Sequence, residues 1–177
     1  MTLATQQRKL LSLFRSGCEL SEDEDPYIRK VAHCKDLREA RRNVFLWRTY
    51  VLERTAVLTL NMLKRRGLLE EALNAFIAGQ NISPFRETQA PAFLEAMALH
   101  DDGLVAAVAQ FELALLKVRE GDESLHVVRW PVEPHSILNC LAKDIAFPDE
   151  TPEGMYEIQV SRDFPSLFRI VLLETAA

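Results

Sequence analysis

Four arginines, Arg38, Arg41, Arg42 and Arg48, recur at helical steps, and Phe45 stands among them. Residues three and four apart share a face of a helix, so the row forms one cationic flank beside an aromatic ring. Guanidinium groups hold carboxylates or phosphates through paired N–H donors. The flank therefore reads either as a docking face for an anionic partner or as an ordinary exposed arginine face. Other chemistry-bearing residues are scattered. His33 adjoins Cys34, but neighbouring side chains on a helix diverge, so a shared metal site there is not expected. Glu70–Glu71 and Asp101–Asp102 sit at helix starts, where acids suit the dipole, and need no catalytic role. The chain has no glycine-rich phosphate loop, no H-E-x-x-H and no G-x-S-x-G. No catalytic residue and no metal-ligand set is expected.

The element that must position the arginines is a long helix. Asp36 and Glu39 give the pattern of a capping box. Leu37, Ala40, Val44, Trp47, Val51, Leu58 and Met62 follow as an apolar stripe, predicting about eight turns that end at Lys64-Arg65-Arg66 and Gly67. Before it, residues 2–16 predict a helix with Leu3, Leu10, Leu11 and Phe14 on its inner side and Gly17 at its end. The acidic stretch 19–25 lacks the glycine and ligand spacing of a calcium loop and reads as solvated charge. After the long helix, Leu69–Ile77 predicts another, stopped in the Gly79–Pro84 region. A further one opens with Pro91 in its first turn, where the missing amide hydrogen does no harm. Asp102 caps the next, with Val105, Val108, Phe111, Leu115 and Val118 on one face before Gly121.

Beyond Gly121 the period changes. Residues 125–130 predict a strand, and 134–143 a short helix with Ile137, Leu138 and Leu141 inward; Cys140 reads as a small core residue. Residues 155–161 alternate Tyr156, Ile158 and Val160 with Glu157, Gln159 and Ser161, a half-exposed strand. Residues 167–173 are nearly all apolar, which predicts the central strand of three. On that reading 156–161 is an edge, and its open side (Tyr156, Glu157, Ile158, Gln159, Val160, Ser161) is the expected docking strip for an extended peptide. The fold class expected is α+β: a helical bundle over 1–121, then a small three-stranded antiparallel or mixed sheet with one helix over 122–177. That second part is similar to the wing portion of winged-helix modules.

Composition agrees with a globular chain: 48% hydrophobic and 27% charged over 177 residues. The absence of a long apolar run or signal-like start, and three cysteines without C-x-x-C spacing, point to a cytoplasmic protein free of disulfides and of membrane. The net charge of −5 is uneven: residues 1–66 carry 14 Lys/Arg against 8 Asp/Glu, a balance of +6, and 67–177 carry 7 against 18, a balance of −11. A basic half joined to an acidic half suggests two faces for two partners.

The order of motifs resembles a known family. Arg41-Arg42-Asn43-Val44-Phe45 opens the long helix, LEEALNAFIAGQNISPFRETQAPAFLEAM follows at 69–97, then VAQFELALLKV at 108–118 and VRWPVEPHSILNCLA at 128–142. Over roughly residues 36–143 this is similar to a family of small proteins classed as DNA-binding that includes HvfC, BufC and the methanobactin-biosynthesis protein MbnC. Ala40 stands where an aromatic residue usually precedes the Arg-Asn pair. The short chain favours the MbnC-like members. The resemblance implies an accessory subunit without an active site of its own. Its partner would be an MbnB-like TIM-barrel enzyme whose several iron ions do the chemistry, and the complex would turn cysteines of a ribosomally made, MbnA-like precursor peptide into oxazolone and thioamide groups on the way to a copper chelator. The small subunit would form a heterodimer with the enzyme and help bind the peptide's leader; the iron belongs to the partner, and this chain holds no cofactor. Arg38, Arg41, Arg42, Phe45 and Arg48 are then the expected partner-binding residues. DNA binding through the same arginines and the wing-like part is the alternative. The overall charge and the acidic C-terminal third argue against nucleic acid.

Overall fold

The computed structural model describes residues 2–16, 20–21, 23–79, 85–148 and 152–173. It is an α+β protein with two compact units, one of residues 1–51 with 70–81 and the other of 52–69 with 82–177. Helices and sheet share the second unit, so the expected division at residue 121 does not coincide with these units.

The first unit holds α1 (Leu3–Ser16), α2 (Pro26–Ala32), most of α3 (Lys35–Thr55) and α5 (Leu69–Gly79). Its core gathers Leu13, Ile28 and Leu37, with Leu10, Val31, Ala32 and Cys34 packed against them. The inner side of α1 is thus not the expected one. Leu13 is buried, whereas Leu3, Leu11 and Phe14 are exposed, because four apolar side chains at 10, 11, 13 and 14 span more arc than one core contact can cover. Part of the acidic stretch is structural: Asp25 Oδ1 accepts from the Tyr27 amide at 2.9 Å to cap α2, and Glu24 pairs with Lys9. Cys18, Gly17 and the stop at 80–84 lie outside the described residues. α3 begins at Lys35, so Asp36 lies in its first turn and is not the expected cap, and Glu39 pairs with Lys35 at 3.4 Å. The expected stripe fails in its middle. Val44 and Trp47 face solvent, while Arg48 is buried.

The second unit holds the rest of the expected long helix. The long helix breaks at Ala56 (φ −128°, ψ 46°), and α4 (Val57–Arg66) starts afresh. A break resets the helical phase, so a stripe traced from Leu37 to Met62 as one helix mixes two faces. Leu52, Ala56, Leu60, Met62 and Leu63 are the buried set on either side of it. α4 closes as expected, with Gly67 at φ 71°. α6 (Arg86–Met97) carries Pro91 in its interior and not in its first turn. Phe93 and Leu94, both fully buried, anchor the turn that the proline weakens. α7 (Gly103–Glu120) runs through the middle of the unit, capped by Asp102, whose Oδ1 accepts from the amides of Leu104 and Val105 at 2.9 and 3.2 Å. It packs on α4, α6, and the strands β1 (His126–Val132) and β2 (Glu153–Val160). α8 (Pro134–Lys143) follows β1, capped by Glu133, with Ile137, Cys140 and Leu141 buried. β3 (Phe168–Leu172) ends the sheet.

All strands are antiparallel, in the order β1-β2-β3. The middle strand is therefore β2 and not 167–173. Ile158 pairs with Val128 on one side and Ile170 on the other, and Tyr156 with Trp130 and Leu172. The expectation of an open edge at Tyr156–Ser161 is overturned, since Tyr156, Glu157, Ile158, Gln159 and Val160 all pair on both sides. Ser161, just past the strand, is buried and donates its amide to the Leu167 carbonyl at 2.9 Å. The short connection makes β2 and β3 a hairpin, and β1 pairs antiparallel with the other side of β2, not with β3. The alternation itself holds: Ile158 and Val160 are fully buried, with Val128 and Trp130 beside them. Phe111 of α7 meets Trp130 and Phe168 edge-on, centroids 6.2 and 5.2 Å apart.

Candidate partner-binding site

The arginine flank stands on a concave surface. Arg41, Arg42, Phe45 and Arg48 occupy one side of α3, as their spacing requires, together with Val44. α1 supplies Leu11 and Phe14, the side chains that its core does not use. α5 supplies Asn74, Ile77 and Ala78, while its own Ala72, Leu73 and Phe76 are buried. These side chains line a cavity of about 530 Å³ inside the first unit. That volume is in the range of a ligand or side-chain cleft. Arg38 is exposed and lies outside the lining, so the structure brings together four of the five expected residues.

The cavity joins an apolar floor to a cationic rim. Arg41 is half-buried, Arg42 exposed and Arg48 9% exposed. Among the described residues, Arg38, Arg41 and Arg42 enter none of the ion pairs. Among the described residues, the lining contains no histidine, cysteine, serine, threonine or carboxylate. Guanidinium groups beside an apolar floor can hold an anion attached to an apolar body. From Val44 at the cavity margin, exposed apolar side chains continue round α3 through Trp47 and Tyr50, whose rings stack with centroids 5.8 Å apart.

Two titratable groups needed the structure to be seen. The Glu112 carboxylate of α7 accepts from the amides of Leu58 and Thr59 at 3.0 and 2.8 Å, capping α4 where the chain breaks. Burial pushes its carboxyl above the ordinary value, although those two amides pull it down. Asp144 accepts from Lys64 at 2.8 Å, which with Arg65 holds its carboxyl below the ordinary value. Both act on α4, and neither lines the cavity on α3. His33 Nδ1 lies 2.8 Å from the Arg29 carbonyl, and Cys34 packs on the Leu13 cluster, so the pair has separate structural duties. Among the described residues no group of three or more His, Cys, Asp or Glu side chains is placed to hold a metal ion, and no helix is long and apolar enough to cross a membrane.

Sequence reasoning missed the contributions of α1 and α5 to this site, and the outward turn of Val44 and Trp47. The excess of apolar residues in α1 was the available signal. No protein-family model matches the chain, and neither does any curated protein or solved structure.

Proposed function

We propose that the chain is a non-catalytic partner subunit. It docks through the arginine-flanked face of α3 on an acidic surface of an MbnB-like TIM-barrel iron oxidase and helps recognise the leader of a cysteine-containing precursor peptide. The observation that carries this reading is the cavity itself: Arg41 and Arg42 stand over an apolar floor, and the described residues of the lining include no carboxylate, nucleophile or base. Such a surface recognises and does not react. The motif order over residues 36–143 supports the oxidase as the partner. The iron and the oxidation of cysteine to oxazolone and thioamide belong to that partner, and the site of action is proposed as the cytoplasm.

Reconstitution tests it. Oxidase, chain and precursor peptide are purified separately and combined, and the peptide's mass and absorbance are followed. Modification is expected only when oxidase and chain are both present. Modification by this chain alone, or by the oxidase at full rate without it, contradicts the reading.

A further inference from the structure

We propose that the occupant of the α1/α3/α5 cavity is an acidic amphipathic helix of the partner protein. One large apolar side chain of that helix seats among Phe14, Phe45 and Ile77, and Asp or Glu residues one turn away meet Arg41 and Arg42. This rests on the partner-subunit reading and specifies its chemistry.

Charge complementarity fixes the sign of the occupant. From Lys35 to Val51, α3 carries five cationic side chains, Lys35, Arg38, Arg41, Arg42 and Arg48, against Asp36 and Glu39. Glu39 pairs with Lys35, at the start of the helix. The forked donors of Arg41 and Arg42, with no carboxylate among the described residues of the lining, take one from outside.

The extent of the surface fixes the kind of occupant. A small amphiphilic anion could fill about 530 Å³. It would leave Trp47, which is 57% exposed beside the cavity, uncovered. Trp47 lies about 60° round α3 from Val44, which borders the cavity, so a partner helix laid over Val44 seats a side chain in the cavity and covers Trp47 as well. Val44 lies between the two, which makes the apolar surface continuous. Exposed aromatic rings beside arginine are the usual composition of a protein-binding hot spot.

The probe is a labelled amphipathic peptide of about four turns with Leu and Phe on one face and Glu flanking them, beside a twin with Lys for Glu. Fluorescence anisotropy measures both against the wild-type chain and the double variant Arg41→Glu/Arg42→Glu. The acidic peptide is expected to bind the wild type in the micromolar range and the variant about tenfold or more weakly, with the Lys twin showing the reverse preference. The swap keeps the test meaningful, because a misfolded variant gains no affinity for the twin. Circular dichroism checks the variant's fold. Phe45→Ala should weaken the acidic peptide as well, and bound peptide should shield Trp47 from acrylamide. Affinities indifferent to the sign of the peptide overturn the proposal. So does dodecanoate that competes with the peptide while Trp47 stays open to quenching, which would mark a small-molecule pocket. The oxidase separates the two levels of argument: if it binds wild type and variant equally, this surface is not its docking site although the partner reading stands. If it binds neither, while the peptide shows the charge preference, the surface stands and the choice of partner falls.

Discussion

Glu112 lies in an apolar helix face, yet its carboxylate closes the first turn of a helix 53 and 54 positions back in the chain. Nothing near it in sequence announces that duty, since a cap is usually read from the residue before the helix, here Ala56, which has no side-chain acceptor. Glu112→Ala leaves two amides at the start of α4 without their acceptor and should lower stability by about 1–2 kcal/mol, read from urea unfolding. Glu112→Gln keeps one acceptor and removes the charge. Burial raises the carboxyl above its ordinary 4.5, so the folded chain holds that proton more tightly than the unfolded one. The group's favourable contribution is then complete below 4.5 and is lost as pH rises through the folded value. Melting temperatures of Glu112→Gln should therefore gain on the wild type as pH rises from about 4 to about 7. A gap that moves the other way would mean that the ionised carboxylate is the preferred cap.

Among the elements, the helices were legible where caps and glycines punctuate them. Asp102 and Gly121 bound α7 as expected, and α8 runs over the expected 134–143. Two elements were not legible for the same reason: their pattern depends on partners far along the chain. Apolar spacing implies a single long helix, but Ala56 breaks it inside a run that holds no Gly or Pro, and Glu112 makes the break tolerable. Sheet order is not readable from how apolar each strand is. β3 is apolar because Phe168 packs on Phe111, while Leu172 at its end is 63% exposed, so continuity of apolar residues does not mean cover on both sides. With β2 in the middle, every backbone amide from Glu157 to Val160 faces a neighbouring strand. Proline at Glu157, Ile158, Gln159 or Val160 should each destabilise the fold by about 3 kcal/mol or more, without the every-other-residue pattern of an edge. Thermal melts of the four variants decide this. Two alternating variants with wild-type melting temperatures would contradict the observed strand order.

For the whole molecule, the basic and acidic halves of the sequence do not coincide with the two compact units, because 52–69, with Lys64, Arg65 and Arg66, belongs to the second. Those three cations are partly engaged at home: Lys64 and Arg65 with Asp144, and Arg66 with Asp102 at 2.9 Å. The arginines of α3 are the cationic set that the cleft presents. The candidate site was legible on α3 from its residue types and spacing; its other two walls were hidden because α1 reads as an ordinary core helix. Metal analysis of the purified chain should find iron well below one atom per molecule, since no three-ligand cluster lies among the described residues. Iron at one atom or more per chain would contradict the assignment of the chemistry to a partner. The most direct test of the account is the affinity of the chain for the MbnB-like oxidase and for duplex DNA, each measured at about 50 and about 200 mM salt with wild type and Arg41→Glu/Arg42→Glu. The account predicts micromolar oxidase binding that the double substitution weakens about tenfold or more, and no comparable DNA binding at either salt. Tight low-salt DNA binding that falls by about 10³-fold at the higher salt and vanishes in the variant, with the oxidase left unbound, would contradict it.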